Sequence, residues 1–368
     1  GKAGATLDEG EWLNLHFVPS LGSPGDAIIW ETTFSPMLAV VVLTILCLKF
    51  EFYFEESPFA AFTIIGTLNS LITVFRTSQA YQRYWEARSQ LGLLMAGLVD
   101  TASCATTLLD SGASQDGEWR ASCKAELARL LRLYMREATQ FLRTSSAETK
   151  VRSFYWKDTE ATRKRVIYDL GEAGKSLTAA ELLDATPEEV PMLEAATPRV
   201  RSALVLQRVR DVLQRTAVEE RAGGSLIGGQ DVGVRLGVVA QHVGPSLAVL
   251  QRHFNGCAKI ATTPFPTPYL RIGRILRFTF VYSAPFLLCG KLGDSAIPVT
   301  ALIAFGFHGI DAIANQLMNP FVGQLGDSVL DGRFTKAVCD DVNALLMPAS
   351  PSQKGAEGGA TASVATEA

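Results

Sequence analysis

The chain has 368 residues, of which 48% are hydrophobic and 19% are charged, and its mean hydropathy is +0.17. It is more apolar than an ordinary soluble domain, in which about a quarter of the residues are charged. The net charge of −3 gives no electrostatic reason to bind nucleic acid. The six scattered cysteines and four histidines lack the spacing of a zinc site or a disulfide framework.

Residues 1–33 form an N-terminal segment that opens GKAGATLDEG, a sequence without the pattern of a secretory signal peptide. We expect that a precursor segment has been removed in front of it. Four apolar stretches follow along the chain, at 36–50, 59–75, 278–290 and 296–307. None is a clean run of about 18 apolar residues, so buried helices of a soluble protein are one interpretation.

The grouping of these stretches favours a membrane. They come in two close pairs with connectors at 55–58 and 291–295, which predicts two antiparallel hairpins: transmembrane helices 1 and 2 within 34–76, and helices 3 and 4 within 271–310. Aromatic residues gather at the helix ends, as at membrane interfaces. Arginines flank the side that carries the termini and the middle of the chain, which predicts that these parts lie on the cytoplasm-equivalent side.

The region 77–270 is predicted to be a mostly helical, soluble-side domain. Two segments each have one apolar helical face. The face in 118–143 consists of Leu127, Leu130, Leu131 and Tyr134. The face in 198–215 consists of Leu204, Val205, Val209 and either Val212 or Leu213. Residues 311–347 are predicted to form a C-terminal helical segment. The small, polar tail 348–368 is predicted to be disordered.

No catalytic signature is present: the sequence lacks GxSxG, HExxH and P-loop motifs. We therefore expect no enzyme activity, no cofactor and no metal site. His308, in the apolar run GFHGID, is interpreted as a hydrogen-bonding partner of a neighbouring helix, with a proton relay as the alternative. Glu86 and Arg88 are close enough in sequence to form a local ion pair.

The second apolar stretch has an unusually polar face for a helix in lipid. Thr63, Thr67, Ser70 or Leu71, and Phe75 follow one helical stripe. Small polar residues of this kind suit helix–helix packing. They equally suit a pore wall if several copies surround an axis, with Leu71 and Phe75 as an apolar neck that gates by dewetting. The positive edge of the Phe ring favours an anion, and Arg76 adds positive potential unless Glu86 binds it.

Three blocks of sequence resemble the bestrophin family. They are FRTSQAYQRYWEAR at 75–88, GCAKIATTPFPTPY at 256–269, and IDAIANQLMNPFV at 310–322. The blocks occur in the family's order around the four apolar stretches. The resemblance implies an all-α integral membrane fold with four transmembrane helices and a helical cytoplasmic or stromal-side domain. It also implies a homopentamer, in contact with membrane lipid, around one axial pore.

The same resemblance implies roles for particular residues. Thr67, Leu71 and Phe75 correspond to the neck of the pore, and Val238 to a lower constriction. The family usually has a bulky apolar residue in place of Thr67, so the upper neck is expected to be wider and wetter. The acidic calcium-binding run of animal members is absent at 316–320. Arg76, Arg83 and Arg88 would line the vestibule of the pore or form contacts between helices.

Within the family, the compact length and the ATTPFP segment are similar to the plant, algal and bacterial branch. Its plant and algal members sit in chloroplast thylakoids and pass chloride or bicarbonate. The resemblance therefore predicts a passive anion channel of the thylakoid membrane that conducts one or both ions. A membrane scaffold that docks a partner through 89–270 or the tail is a second hypothesis, and a soluble all-α protein is a third.

Overall fold

The computed structural model describes residues 24–54, 59–110, 117–154, 184–219, 231–322, 330 and 332–347. Within these ranges all regular structure is helical. The helices are α1 Pro24–Lys49, α2 Phe59–Asp110, α3 Gly117–Phe154, α4 Val190–Ala195, α5 Pro198–Glu219, α6 Asp231–Thr262, α7 Thr267–Leu292, α8 Ala296–Leu317 and α9 Gly332–Leu346. Residues 1–23, the first connector at 55–58 and the tail at 348–368 lie outside the described residues.

The chain divides into two separately packed units. The first unit comprises Gly1–Tyr84 and Phe265–Ser328, and the second comprises Trp85–Pro264 and Val329–Ala368. Helix α2 contributes its first half to one unit and its second half to the other. Its apolar stretch ends at Phe75, but the helix continues to Asp110.

Helices α1, α7 and α8 pack against one another in the first unit, together with the beginning of α2. The rings of Phe62 and Phe280 stack with their centroids 4.6 Å apart, and Phe280 meets Phe307 edge-on at 5.2 Å. A Cβ atom on Gly66 would lie 2.7 Å from the Phe280 ring. Only glycine therefore lets α2 approach α7 this closely.

The hairpin between α7 and α8 is tight, as the short connector at 291–295 predicts. A single 3₁₀ turn, Gly293–Ser295, links the two helices, and Gly293 adopts φ +52°, a conformation that favours glycine. At the other end of α7, Pro264 and Pro266 interrupt the helical hydrogen bonding, so α6 ends at Thr262 and α7 begins at Thr267.

Two helical stretches of the described chain are long and apolar enough to cross a membrane. They are Ala60–Asp110 and Thr267–Leu317, the latter counting α7, the 3₁₀ turn and α8 together. Thr33–Lys49 is a shorter apolar helix. Many large apolar side chains on these helices are exposed, including Ile64, Val74, Ile275 and Leu302. A face of this kind suits a lipid environment or a further protein surface.

The second unit has a conventional core. The predicted stripe on α3 is buried, with Leu127, Leu131 and Tyr134 fully enclosed. On α5 the buried set includes Val205, Val209 and Leu213, while Leu204 and Val212 are half-buried. Helix α3 packs against α5, α6 and α9, and α5 also packs against α6. The helical periodicity of these segments thus identified the buried faces correctly.

Candidate functional site

The residues predicted to form a neck share one exposed face of α2. Thr67, Leu71 and Phe75 are spaced four residues apart, so they lie along one side of the helix. Leu71 is 67% exposed and Phe75 is 53% exposed. The Thr67 hydroxyl donates to the carbonyl oxygen of Thr63 at 2.8 Å. Because this donor is used within the helix, the face presents methyl groups, an aromatic ring and few polar hydrogens.

Phe75 is held in place by the first turn of α7. Its ring meets the ring of Tyr269 edge-on, with centroids 5.8 Å apart and an interplanar angle of 69°. The Tyr269 hydroxyl donates to the carbonyl oxygen of Ile72 at 3.4 Å, a long hydrogen bond back to α2. The aromatic contact restricts where the Phe75 ring can point, although half of its surface stays accessible.

Arg76 points away from this face and is buried. Its guanidinium donates to the carboxylate of Asp311 and to the side-chain oxygen of Asn315, both on α8. Arg277 on α7 also pairs with Asp311, and the Asn315 amide donates to the same carboxylate at 3.1 Å. The sequence left open whether Arg76 lines a vestibule or connects helices, and in the structure it connects α2 to α8.

Glu86, the other partner considered for Arg76, forms an ion pair with Lys259 at 2.9 Å. Arg83 and Arg88 are half-buried, and each has an interaction partner within the chain. Val238 lies on helix α6, but its side chain is outside what the structure describes. The lower constriction at Val238 and the vestibule role of Arg83 and Arg88 therefore stay predictions.

Sequence reasoning missed the partners that fix Arg76. Asp311 is the only acidic residue in the mostly apolar helix α8, and a charge at such a position signals a function or a partner. That signal was available. The identity of the partner was not, since Arg76 and Asp311 are 235 positions apart. Asn69, fully buried on α2 opposite the neck face, is a second residue that the sequence did not single out for a role of its own.

Cysteine and metal chemistry do not contribute to the site as described. The six cysteines, all within the described ranges, are not disulfide-bonded. Burial raises the pKa of the Cys257 thiol to about 12, so this residue stays protonated at neutral pH and serves as a small packing group. Among the described residues, no group of three or more His, Cys, Asp and Glu side chains is arranged to hold a metal ion.

The chain is similar to known proteins along most of its length. A family model for the bacterial and fungal bestrophin proteins matches residues 8–337. A voltage-dependent anion channel-forming protein of Mesorhizobium japonicum is 27% identical over 279 residues, covering 76% of this chain and 72% of the relative. Another protein with that description, from Salmonella typhi, is 24% identical over 344 residues, covering 91% of this chain and 90% of the relative.

Solved structures match the fold. The crystal structure of a bacterial bestrophin homologue from Klebsiella pneumoniae superimposes with a TM-score of 0.61, covering 85% of this chain and 98% of the homologue. The sequence identity is 17%. The match therefore concerns the fold, and it agrees with the all-α architecture.

Proposed function

The chain belongs to the bestrophin family, and from that premise we propose that it is an anion channel whose neck is lined by Thr67, Leu71 and Phe75. The observation that carries the proposal is the exposed face of α2, where these three residues lie in line and each stays exposed in the described chain. One helix cannot enclose a pore. The face becomes a conduit when several copies of the chain surround an axis.

The assembly we propose is a homopentamer embedded in a membrane. Helices α1, the first half of α2, α7 and α8 supply four spans in each subunit. Their exposed apolar side chains would contact lipid tails or neighbouring subunits, since neither environment penalises apolar surface. The two stretches that meet the length and hydropathy required of a membrane span, and the shorter Thr33–Lys49 helix, support this arrangement.

Selectivity in this proposal comes from hydration and ring electrostatics. Rings of Leu71 and Phe75 make an apolar constriction in which an ion sheds part of its water shell, and this costs more free energy for strongly hydrated ions. The positive edges of Phe rings favour an anion over a cation. We expect permeability to rise from chloride to larger, weakly hydrated anions. Thr67 would keep the upper neck wetter than a bulky apolar residue.

The test is single-channel recording from purified protein in planar bilayers under a chloride gradient and then with bicarbonate. Wild-type protein is expected to give a reversal potential close to that of the anion. Phe75→Ala removes the ring at the constriction, and it is expected to raise conductance and alter the ratio of permeabilities.

Phe278→Ala is the matched control. Phe278 on α7 is 58% exposed and contacts a tyrosine, Tyr282, as Phe75 contacts Tyr269. The Phe278→Ala substitution therefore removes a phenylalanine ring from a similarly exposed position outside the neck. The conductance of this variant should equal that of the wild type. Silence from protein shown to be pentameric, across voltage, pH and calcium, would favour the scaffold hypothesis instead.

The plant or algal branch, the thylakoid membrane and bicarbonate as the physiological ion are the finer parts of this proposal. They rest on the ATTPFP segment and the compact chain. The matching family model is bacterial and fungal, and the two relatives described above are bacterial, so neither comparison supports these parts. Fractionation of source cells, with thylakoid and envelope markers followed beside this chain, tests the location directly.

A further inference from the structure

Several buried polar atoms of the first unit have no hydrogen-bond partner in the part of the chain that the structure describes. Among them are Nδ2 and Oδ1 of Asn69, Nε of Arg76, Nε of Arg277 and Nε2 of His308. Asn69, Arg76 and Arg277 are each more than nine-tenths buried. Buried polar atoms in folded proteins are nearly always paired. A group of them within one unit therefore points to a place that binds a polar ligand.

Packing contacts place Asn69 and Arg277 at the same level of the helix pair. Helix α2 contacts α7 at two points, where Gly66 meets Phe280 and Ile72 meets Gly273. Asn69 lies midway between the two contact residues of α2, and Arg277 lies between the two contact residues of α7. Since a helix rises about 1.5 Å per residue, each side chain is within about 6 Å, along the axis, of both contacts. The backbone positions of Asn69 and Arg277 thus lie at one level of the helix pair, which we call the layer.

Helix α8 contributes to the same layer. Phe307 meets the Phe280 ring, and Asp311 pairs with Arg277. His308 lies between these two contact points in the sequence of α8, so it sits close to the level of Arg277. The layer therefore joins one residue from each of α2, α7 and α8, with the Arg76–Asp311 pair beside it.

The charges of this layer do not balance. Two guanidinium groups, of Arg76 and Arg277, share one carboxylate, that of Asp311. No other acidic residue occurs in α7, in α8 or in the first-unit part of α2. A buried charge without a counter-charge is costly. An anion beside the two arginines would neutralise the excess, whereas a water molecule would not.

We propose that a halide-sized anion, chloride in the cell, binds in this layer between Asn69 and the two arginines. The donors are Asn69 Nδ2 and the Nε groups of Arg277 and Arg76. This site lies outside the proposed permeation path, because Asn69 and Leu71 are two residues apart and so point to opposite sides of α2. Its role is to stabilise the contact of the neck helix with α7 and α8. The inference is independent of whether the channel conducts.

The experiment measures thermal unfolding of the purified full-length chain in detergent, with sodium chloride exchanged for sodium gluconate at constant ionic strength. An anion that binds only the folded state raises the unfolding temperature with a saturable dependence on its concentration. Wild-type protein is expected to show this rise with chloride and bromide. Because no current is recorded, a silent channel and an absent anion site are separate results.

Three variants make the assignment specific. Arg277→Gln leaves a balanced Arg76–Asp311 pair and is expected to abolish the chloride-dependent rise. Asn69→Leu removes a donor without adding a charge, and it is expected to weaken the rise while keeping the fold. Asp311→Asn removes the competing carboxylate. It should lower stability in gluconate but lower the half-saturating chloride concentration by about ten-fold or more.

Arg271→Gln is the control, since it makes the same charge change at an exposed position of the same helix. It should behave as the wild type. A chloride effect that persists unchanged in both Arg277→Gln and Asn69→Leu would place the ion elsewhere and overturn the proposal. No saturable difference between chloride and gluconate in the wild type would mean that the layer holds water only. A purely structural role of the cluster predicts that Asp311→Asn and Arg277→Gln both lose stability by amounts independent of chloride.

Discussion

The two units of the chain distribute their apolar residues in opposite ways. In the second unit the largest enclosed side chains form the centre, among them Leu98, Leu131 and Phe254. In the first unit large apolar side chains such as Leu302 and Ile275 point outward, while buried charge is concentrated around Arg76 and Asp311. The second unit thus encloses most of its large apolar side chains, whereas the first exposes many of them.

The ion pairs of the two units follow the same division. In the second unit Arg129 pairs with Glu189 at 2.7 Å, and Arg132 and Arg136 both pair with Asp184. The arginines of these pairs keep 17–32% of their side chains exposed, whereas the carboxylates are 9–11% exposed. In the first unit Arg76 is 6% exposed and Asp311 is 13% exposed. The two units therefore differ in their arginines, which stay partly hydrated in the second unit and are enclosed in the first.

The largest expected effect is on the core of the second unit. Leu131→Ala deletes a fully buried side chain, and it should lower the free energy of unfolding by about 4 kcal/mol, through lost burial and the cavity left behind. The measurement is the unfolding temperature of detergent-purified protein. Leu302→Ala, at a position 71% exposed on α8, makes the same chemical change and should cost far less. Equal losses would mean that Leu302 is covered in the assembly.

A charged residue introduced at an exposed apolar position should affect the two units differently. Leu302→Asp is expected to cost about 2–3 kcal/mol in membrane insertion if the exposed face of α8 contacts lipid. The readout is the fraction of expressed protein recovered from membranes as a monodisperse detergent complex. Val200→Asp, at an exposed aliphatic position on α5 in the second unit, is the control and should be recovered as the wild type is. Wild-type recovery of both Leu302→Asp and Val200→Asp would contradict a membrane around the first unit.

Much of this division could be predicted from the sequence because it follows from local patterns. The 3.6-residue periodicity of 118–143 identified the buried stripe of α3, and the short connector at 291–295 predicted the α7–α8 hairpin. The spacing of Thr67, Leu71 and Phe75 placed them on one face. The continuation of α2 past Phe75 also had a signal that was not used, since no proline interrupts residues 59–110.

The charged interior of the first unit could not be predicted in the same way. Which carboxylate meets Arg76 depends on how α2 and α8 pack, and no local pattern records a contact between residues 235 positions apart. Glu86 was the nearer candidate in sequence, but it lies ten residues along the helix and pairs with Lys259. Long-range packing, and not residue type, decides such partners. This is why the layer around Asn69 and Arg277 emerged only from the structure.

A smaller effect, dependent on pH, is expected inside the second unit. Burial raises the pKa of the Glu137 carboxyl on α3, and the nearby charge of Arg201 offsets this only in part. A raised folded-state pKa means that stability from this group is fully present below the ordinary value and is lost as pH rises through the folded-state pKa. Glu137→Gln stays neutral. It should therefore unfold a few degrees above the wild type at pH 8 and lose that advantage below the ordinary pKa of 4.5.

The measurement is the unfolding temperature of both proteins across this pH range. Glu194→Gln, at an exposed position of the same unit, is the control for the chemical change itself. A Glu137→Gln variant less stable than the wild type at pH 8 would show that the ionised carboxylate has a stabilising partner, and Arg201 would then be that partner. In that case Glu137 and Arg201 would join Arg129 and Glu189 as an ion pair with a buried carboxylate in the second unit.

The smallest effect is expected at the surface pair of Glu86 and Lys259. Their side chains are 46% and 67% exposed, and their charged atoms are 2.9 Å apart. Exposed pairs of this kind contribute less than about 1 kcal/mol, because water and salt screen the attraction and both side chains lose freedom. Glu86→Gln and Lys259→Gln, alone and together, form a double-mutant cycle read by unfolding temperature at low and high salt. A coupling above about 2 kcal/mol that persists at high salt would mean that the pair is enclosed in the assembled protein. Glu86 would then belong to a contact between subunits, and its exposure would be a property of the single chain alone.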